Sequence, residues 1–342
     1  MDLGLVGRAN AGKTALFTLV TGVEAEIAPY PYTTREPHRA MADVPDPRLQ
    51  AIADAQDIPK RVAAQVQLVD IAGLAAGAGQ GEGLGGAALG QLRQVDALVH
   101  VVRAFANAEV PHPDERVDPV ADAEAVDLEL AIADRDQTAR RLERVRKGAR
   151  AGEAGAAAEL AALELLVAEL DAGRPARLVA DDAAQAAAAD MGLLTAKPVL
   201  YIANTDEGLE PPAGLVAHAA AQGAQALALP VGMELELAVM EPEEAAELAA
   251  ELELGDVRGA DAVVAAAYRL LDLVTFFTGS GPPEARAWPI RRGTSAAGAA
   301  GRIHSDLERG FIRAEVIGWE DLVAAGSWSK AREAALLRME GK

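Results

Sequence analysis

Apolar residues gather in short runs, separated by stretches in which they recur at every third or fourth position. Leu3 to Val6, VQLVD (66–70), ALVHVV (97–102) and VLYIA (199–203) are rich in Val and Leu. Their length suits strands buried on both faces of a parallel sheet, with helical patterns between the early ones as β-α-β units require. Between about 121 and 197 the texture shifts to Ala, Leu, Glu and Arg. Val126, Leu130, Ala133, Leu142 and Val145 are spaced for one helical stripe, and Leu160, Leu163, Leu166 and Leu170 for a second. Gly148, Gly152 and Gly155 mark a break between them, so the pattern predicts two antiparallel helices, a hairpin inserted into an α/β domain. After a helix at 260–273 come ARAWPI, GRIH and FIRAEVIGW, separated by Gly and Pro, which predict a small β-containing module.

At 342 residues the chain is long enough for two or three domains. Apolar residues at 51% and charged residues at 25% describe a globular rather than a disordered chain. No run reaches the ~18 apolar residues of a membrane helix, and the N-terminus lacks the pattern of an export signal, so a cytoplasmic protein without a membrane partner is expected. With no cysteine, thiolate metal sites and disulfides are excluded. The net charge of −20 argues against charge-driven coating of nucleic acid, and no sequence-specific DNA binding is expected. One local basic run, ARRLERVRKGAR (139–150), reads first as a solvated helix face.

GRANAGKT, Gly7 to Thr14, fits G-x-x-x-x-G-K-[ST] at every fixed position, with a strand pattern before it and a helical one after it. Backbone amides over Asn10, Ala11, Gly12, Lys13, Thr14 and Ala15 can turn toward phosphates, Lys13 reaches the β/γ oxygens, and the Thr14 hydroxyl can ligate Mg²⁺. Asp70-Ile71-Ala72-Gly73 ends the second apolar run, where an Asp holds Mg²⁺ and the Gly73 amide can sense the γ-phosphate. The stretch 73–90 holds eight glycines and is expected to be mobile until a ligand orders it. PYTTREP (31–37) lies where a first switch loop belongs, and Thr34 can offer its hydroxyl to Mg²⁺.

GRANAGKT, YPYTTREP, VPDPRL, VDIAGLAAGAGQGEGLGG, VDALVHVVRAF, ANTDE, LLDLVTFFTGSGPPEARAW, IRRGTSAAGAAGRIHSDLERGFIRAEVI and LRMEGK resemble the YchF subfamily of Obg-like P-loop proteins, in the family's order along nearly the whole chain. The resemblance implies a Ras-like P-loop domain over 1–120 and 198–273, a helical hairpin over 121–197, and a β-grasp-like TGS domain over 274–342. It also implies ATP hydrolysis, often in preference to GTP, and association with the ribosome, its large subunit being the expected face, in translation or stress regulation. The family normally continues beyond Gly341-Lys342 through a further turn and strand, which leaves the TGS sheet short of an edge. Thr33 stands where the family often carries a cysteine, so thiol-based control is not expected.

Guanine-reading relatives end the 199–203 strand in Asn-Lys-x-Asp, whose Asp accepts from two donors on guanine's Watson–Crick edge. Here the segment is Asn204, Thr205, Asp206, Glu207. Glu207 is a methylene too long, Asp206 is one position early, and Thr205 has no stem to cover the ring. ATP and ADP are therefore the expected nucleotides and GTP the weaker one, with Asn204 kept as a base or P-loop contact and Gly232 and Met233 walling the base. Leu74 stands where a glutamine commonly orients the attacking water. His112, matching a family histidine suggested for that role, and K⁺ held beside Asn10 are the two candidates to replace it. A GTPase of the Obg type is one alternative, and a nucleotide-sensing binding module with incidental hydrolysis is the other.

Overall fold

The structure, a computed structural model, describes residues 1–23, 38–71, 85–151, 153–252, 254, 259–279 and 284–341. Its strands are β1 (Asp2–Val6), β2 (His38–Val44), β3 (Lys60–Val62), β4 (Ala64–Asp70), β5 (Ala97–Ala104), β6 (Val199–Thr205), β7 (Gln225–Leu229), β8 (Leu273–Thr278), β9 (Glu284–Arg291), β10 (Arg313–Val316) and β11 (Arg338–Gly341). The helices are α1 (Lys13–Thr21), α2 (Pro47–Ala55), α3 (Gly86–Leu92), α4 (Pro119–Arg150), α5 (Ala156–Asp171), α6 (Asp182–Asp190), α7 (Ala213–Ala221), α8 (Val231–Ala238), α9 (Pro242–Glu251) and α10 (Gly259–Leu270). Four shorter helices follow: α11 (Ala296–Ile303), α12 (Ser305–Arg309), α13 (Trp319–Ala325) and α14 (Trp328–Glu333). By internal packing the chain forms two units, Met1–Met41 with Gln67–Val263, and Ala42–Val66 with Val264–Lys342.

A six-stranded sheet runs in the order β2-β4-β1-β5-β6-β7, with β1 parallel to both β4 and β5, and β5 to β6 to β7 also parallel. Residues 97–103 of β5 are all buried, which is why this strand reads as an unbroken apolar run. The chain adds strands on one side of β1 and then crosses to the other, so the loop after β1 opens at a topological switch point, the usual place for a ligand in such sheets. Two strands the apolar pattern did not predict, β2 and β7, are the sheet's edges, where part of each strand stays exposed and the apolar signal thins. The last five residues of the glycine-rich stretch, 86–90, are helical rather than loop. Ala88 and Leu92 of α3 pack into the core beside Val6, Val69 and Leu98, and that burial outweighs the poor helix propensity of Gly86 and Gly90.

Helix α4 is 32 residues long. Asp118 caps it by accepting from Ala121 N–H, Pro119 opens its first turn, and Lys147 and Arg150 sit in its last. Its stripe serves two cores in succession. Val126 and Leu130 pack against the sheet, whereas Leu142 and Val145 pack with Leu163 and Leu166 of α5. Of the basic run, Arg141 pairs with Glu159 and Arg146 with Glu164 across the hairpin, while Arg140, Arg144, Lys147 and Arg150 are exposed. A fully buried carboxylate fixes the same helix midway. Asp134 accepts from Arg93 Nη1 (2.9 Å), Leu194 N–H (3.0 Å), and both the backbone N–H (2.7 Å) and hydroxyl (2.8 Å) of Thr195.

Nearer the root, Asp127 accepts from Tyr201 Oη (2.6 Å) and lies 2.8 Å from His218 Nε2, with His100 Nδ1 at 3.7 Å. Burial by itself raises the Asp127 carboxyl, but the contacts from His100, His218 and Tyr201 outweigh it and hold the group well below the usual carboxylate range. A depressed native pKa means stabilisation that is complete above the ordinary aspartate value and is lost as pH falls through the lower one. Asp127→Asn is accordingly expected to cost about 2–3 kcal/mol at pH 7, with the gap to the parent closing as pH falls toward about 2. Urea unfolding across that range measures it, and a gap independent of pH would refute the assignment.

In the second unit, β9 pairs antiparallel with β8 and parallel with β3. Residues 42–66 thus belong by packing with the C-terminal residues, through β3 and through α2, whose Ile52 joins Leu322 and Ala331 in one apolar cluster. By sequence alone 42–66 falls within the nucleotide domain, because no local pattern reveals a partner that lies some 220 residues further on. The unit is mixed rather than mainly β: residues 301–303 of GRIH end helix α11, and β10 and β11 form a separate antiparallel ribbon. Among the described residues, no helix is long and apolar enough to cross a membrane.

Candidate nucleotide site

The loop between β1 and α1 is held by contacts that only glycine allows. Gly7 has φ +145°, and a Cβ there would lie 2.2 Å from the Val101 carbonyl oxygen; Gly12 has φ +98°, and its Cβ would lie 2.3 Å from Asn204 Nδ2. Ala11 is buried, and Leu16 N–H bonds to Gly12 O to start the helix, with Ala15 in its first turn. Lys13 folds back so that Nζ donates to Gly7 O (2.9 Å) and Arg8 O (2.7 Å). Burial pushes its ammonium down to about 8 against the opposing pull of Asp70. A cation so poorly hydrated is poised for an anion.

Thr14 Oγ1 donates to Asp70 Oδ2 at 3.0 Å, and the Asp70 carboxylate is buried at the end of β4. Two of the three groups that the sequence points to for Mg²⁺ therefore converge, and a set of hydroxyl and carboxylate oxygens suits that hard cation. Thr34 and Gly73, with Thr33 and Leu74 beside them, lie outside the described residues.

At the end of β6, Asn204 is buried and spans two loops, donating from Nδ2 to Ala11 O (3.0 Å) and accepting at Oδ1 from Val231 N–H (3.3 Å). Thr205 closes a local turn onto Gly208 O. Asp206 accepts from Ala106 N–H at 2.9 Å, and Glu207 is exposed. Gly232, the second residue of α8, has open space around it, whereas the Met233 side chain packs with Leu237, Ala245 and Ala249.

The loop from 105 to 118 leans on the phosphate loop. Asn10 has φ +60° and donates from Nδ2 to Pro111 O (2.9 Å), and Arg8 pairs with Asp114 at 3.0 Å and approaches Asp122 at 3.7 Å. Arg103, buried at the end of β5, donates to the carbonyls of Phe105, Asn107 and Val110 and stacks over the Phe105 ring, which sets the loop's course. His112 stands in this loop with Nε2 2.8 Å from Asp122 Oδ2 and Nδ1 accepting from Asp114 N–H at 3.1 Å. Sequence reasoning missed Arg8, Arg103, Asp114 and Asp122. Arg8 occupies a variable position of the motif, Arg103 ends an apolar strand run, and Asp114 and Asp122 are two of several acids near His112.

Sheet order, phosphate loop and the Thr14–Asp70 pair define a P-loop nucleoside triphosphatase. A family profile described as a 50S ribosome-binding GTPase matches residues 2–136, and the YchF-GTPase C-terminal profile, described as a protein of unknown function, matches 273–342. The ribosome-binding ATPase YchF of Bacillus subtilis (strain 168) is 40% identical, over 100% of this chain and 95% of that protein. The protein of the same name from Escherichia coli O157:H7 is 40% identical, over 99% of this chain and 94% of its own. The solved structure of the Schizosaccharomyces pombe YchF GTPase superposes with a TM-score of 0.83 at 32% identity, covering 100% of this chain and 94% of that one. This chain belongs to the YchF family.

Proposed function

We propose that this protein is an ATP-hydrolysing switch that binds the ribosome. One observation carries the choice of base. Asp206 is committed to Ala106 N–H, Asn204 to the two loops it spans, and Glu207 is exposed, so neither carboxylate of this segment is placed for the two donors of guanine. Adenine, with one donor and one acceptor on that edge, has no such requirement. Association with the ribosome rests on the names of the relatives, and the large subunit on the description of the family profile over 2–136.

Lys13 and the amides of 10–15 hold the phosphates, and Thr14 and Asp70 would hold Mg²⁺, which when bound would supply positive charge against that of the phosphates. His112 is the group for the attacking water, and Asn10 the contact for K⁺, in which case turnover is faster in K⁺ than in Na⁺ buffer. Residues 274–342 are read as the TGS domain.

Calorimetric titration of the nucleotide-free protein with ADP and with GDP, both with Mg²⁺, tests the reading. ADP is expected to bind at least about tenfold more tightly, a difference of about 1.4 kcal/mol. The reverse preference would make the protein a GTPase of the Obg type.

A further inference from the structure

We infer that Asp122 is a positioning residue for hydrolysis, an inference that rests on His112 being the group for the attacking water. Asp114 N–H donates to Nδ1 of His112, so that nitrogen carries no proton; the proton is on Nε2, which donates to Asp122 Oδ2 at 2.8 Å. Both side chains are almost enclosed, 5% and 4% exposed. The two contacts differ in kind. Asp114 N–H belongs to the same short loop as His112, whereas Asp122 is fixed in the first turn of α4, beyond the cap at Asp118. The carboxylate is therefore the permanent partner and the backbone amide the exchangeable one.

A carboxylate on one ring nitrogen sets the tautomer and stabilises the imidazolium that forms when the other nitrogen takes a proton. Here the basic nitrogen so defined is Nδ1. When water replaces Asp114 N–H there, the water oxygen bonds to the γ-phosphorus as the bond from that phosphorus to the β,γ-bridging oxygen breaks. One water proton passes to Nδ1, the electron pair of the broken bond leaves on the diphosphate, and the proton is then returned to the phosphate product or to solvent.

The loop is also set against the phosphates' cradle from both sides of the histidine: Pro111 O accepts from Asn10, and Asp114 pairs with Arg8. Arg8 Nε lies 3.7 Å from Asp122 itself, so one guanidinium joins the phosphate loop, the histidine loop and the root of α4.

The test compares ATP turnover with Mg²⁺ in the parent, Asp122→Asn, Asp122→Glu, His112→Ala and the Asp122→Asn/His112→Ala double variant. It is accompanied by ¹⁵N spectra of the histidine rings, of which the chain has five. Asp122→Asn is expected to lower kcat about ten- to a hundredfold with KM little changed, Asp122→Glu to recover part of it, and the double variant to be no slower than His112→Ala. The parent's His112 should show a proton on Nε2 only, and Asp122→Asn a mixture of tautomers. If His112→Ala keeps the parental rate, the reading of His112 itself fails. If His112→Ala is slow but Asp122→Asn is not, the positioning role alone fails. A parental ring protonated on Nδ1 overturns the inference whether or not any variant folds.

Discussion

Lys13→Met is expected to remove nucleotide binding while leaving the nucleotide-free fold nearly as stable as the parent. The ammonium is folded into the cradle, and charge-assisted contacts to phosphate oxygens are worth about 1.5–3 kcal/mol each, so ADP affinity should fall about a hundredfold. Without nucleotide the same group is a burden, because burial has pushed its pKa down to about 8. A native pKa below the unfolded value means that the charged form disfavours folding, and that stability rises with pH between about 8 and 10.5. Methionine fills the space without charge. Titration with ADP and thermal unfolding without it separate the two effects, and parallel losses in both would show that Lys13 is part of the scaffold instead.

Asp134→Ala carries the largest expected loss of stability. Four donors converge on this fully buried carboxylate, and its removal strands two backbone amides at the junction of α4 with the segment before β6 and leaves Arg93 Nη1 only the Gly192 carbonyl. Breaking a buried pair from one side costs about 3–5 kcal/mol, enough to remove much of a domain's margin. Denaturant unfolding reads it directly, and a loss under about 1 kcal/mol would mean that water satisfies the stranded donors.

Which parts of the protein could be read from sequence follows from the range of the interactions. The phosphate loop is contiguous, its glycines answer to steric limits within the segment, and Asp70 ends a strand that declares itself by apolar content. The central strands β1, β4, β5 and β6 were legible for the same reason. The contacts that hold the His112 loop in place were not. Arg8 meets Asp114 across 106 residues and Asp206 meets Ala106 across 100, so neither pairing leaves a local trace. Asp122 in the first turn of a helix reads as an ordinary response to the helix dipole, and only the fold shows that it faces a histidine. The edge strands β2 and β7 were hidden by their own exposure, and GRIH by a helix whose apolar face is made of alanines.

The length of α4 has a mechanical consequence. Thirty-two residues at about 1.5 Å each make a rod of roughly 48 Å, rooted at Asp118 to Asp122 beside the phosphate loop and ending at Arg150. A tilt of about 5° at the root displaces the far end by roughly 4 Å, more than the length of any hydrogen bond at the nucleotide. Movements too small to be seen at the phosphates would arrive at the exposed Arg140, Arg144 and Lys147 as a change of place.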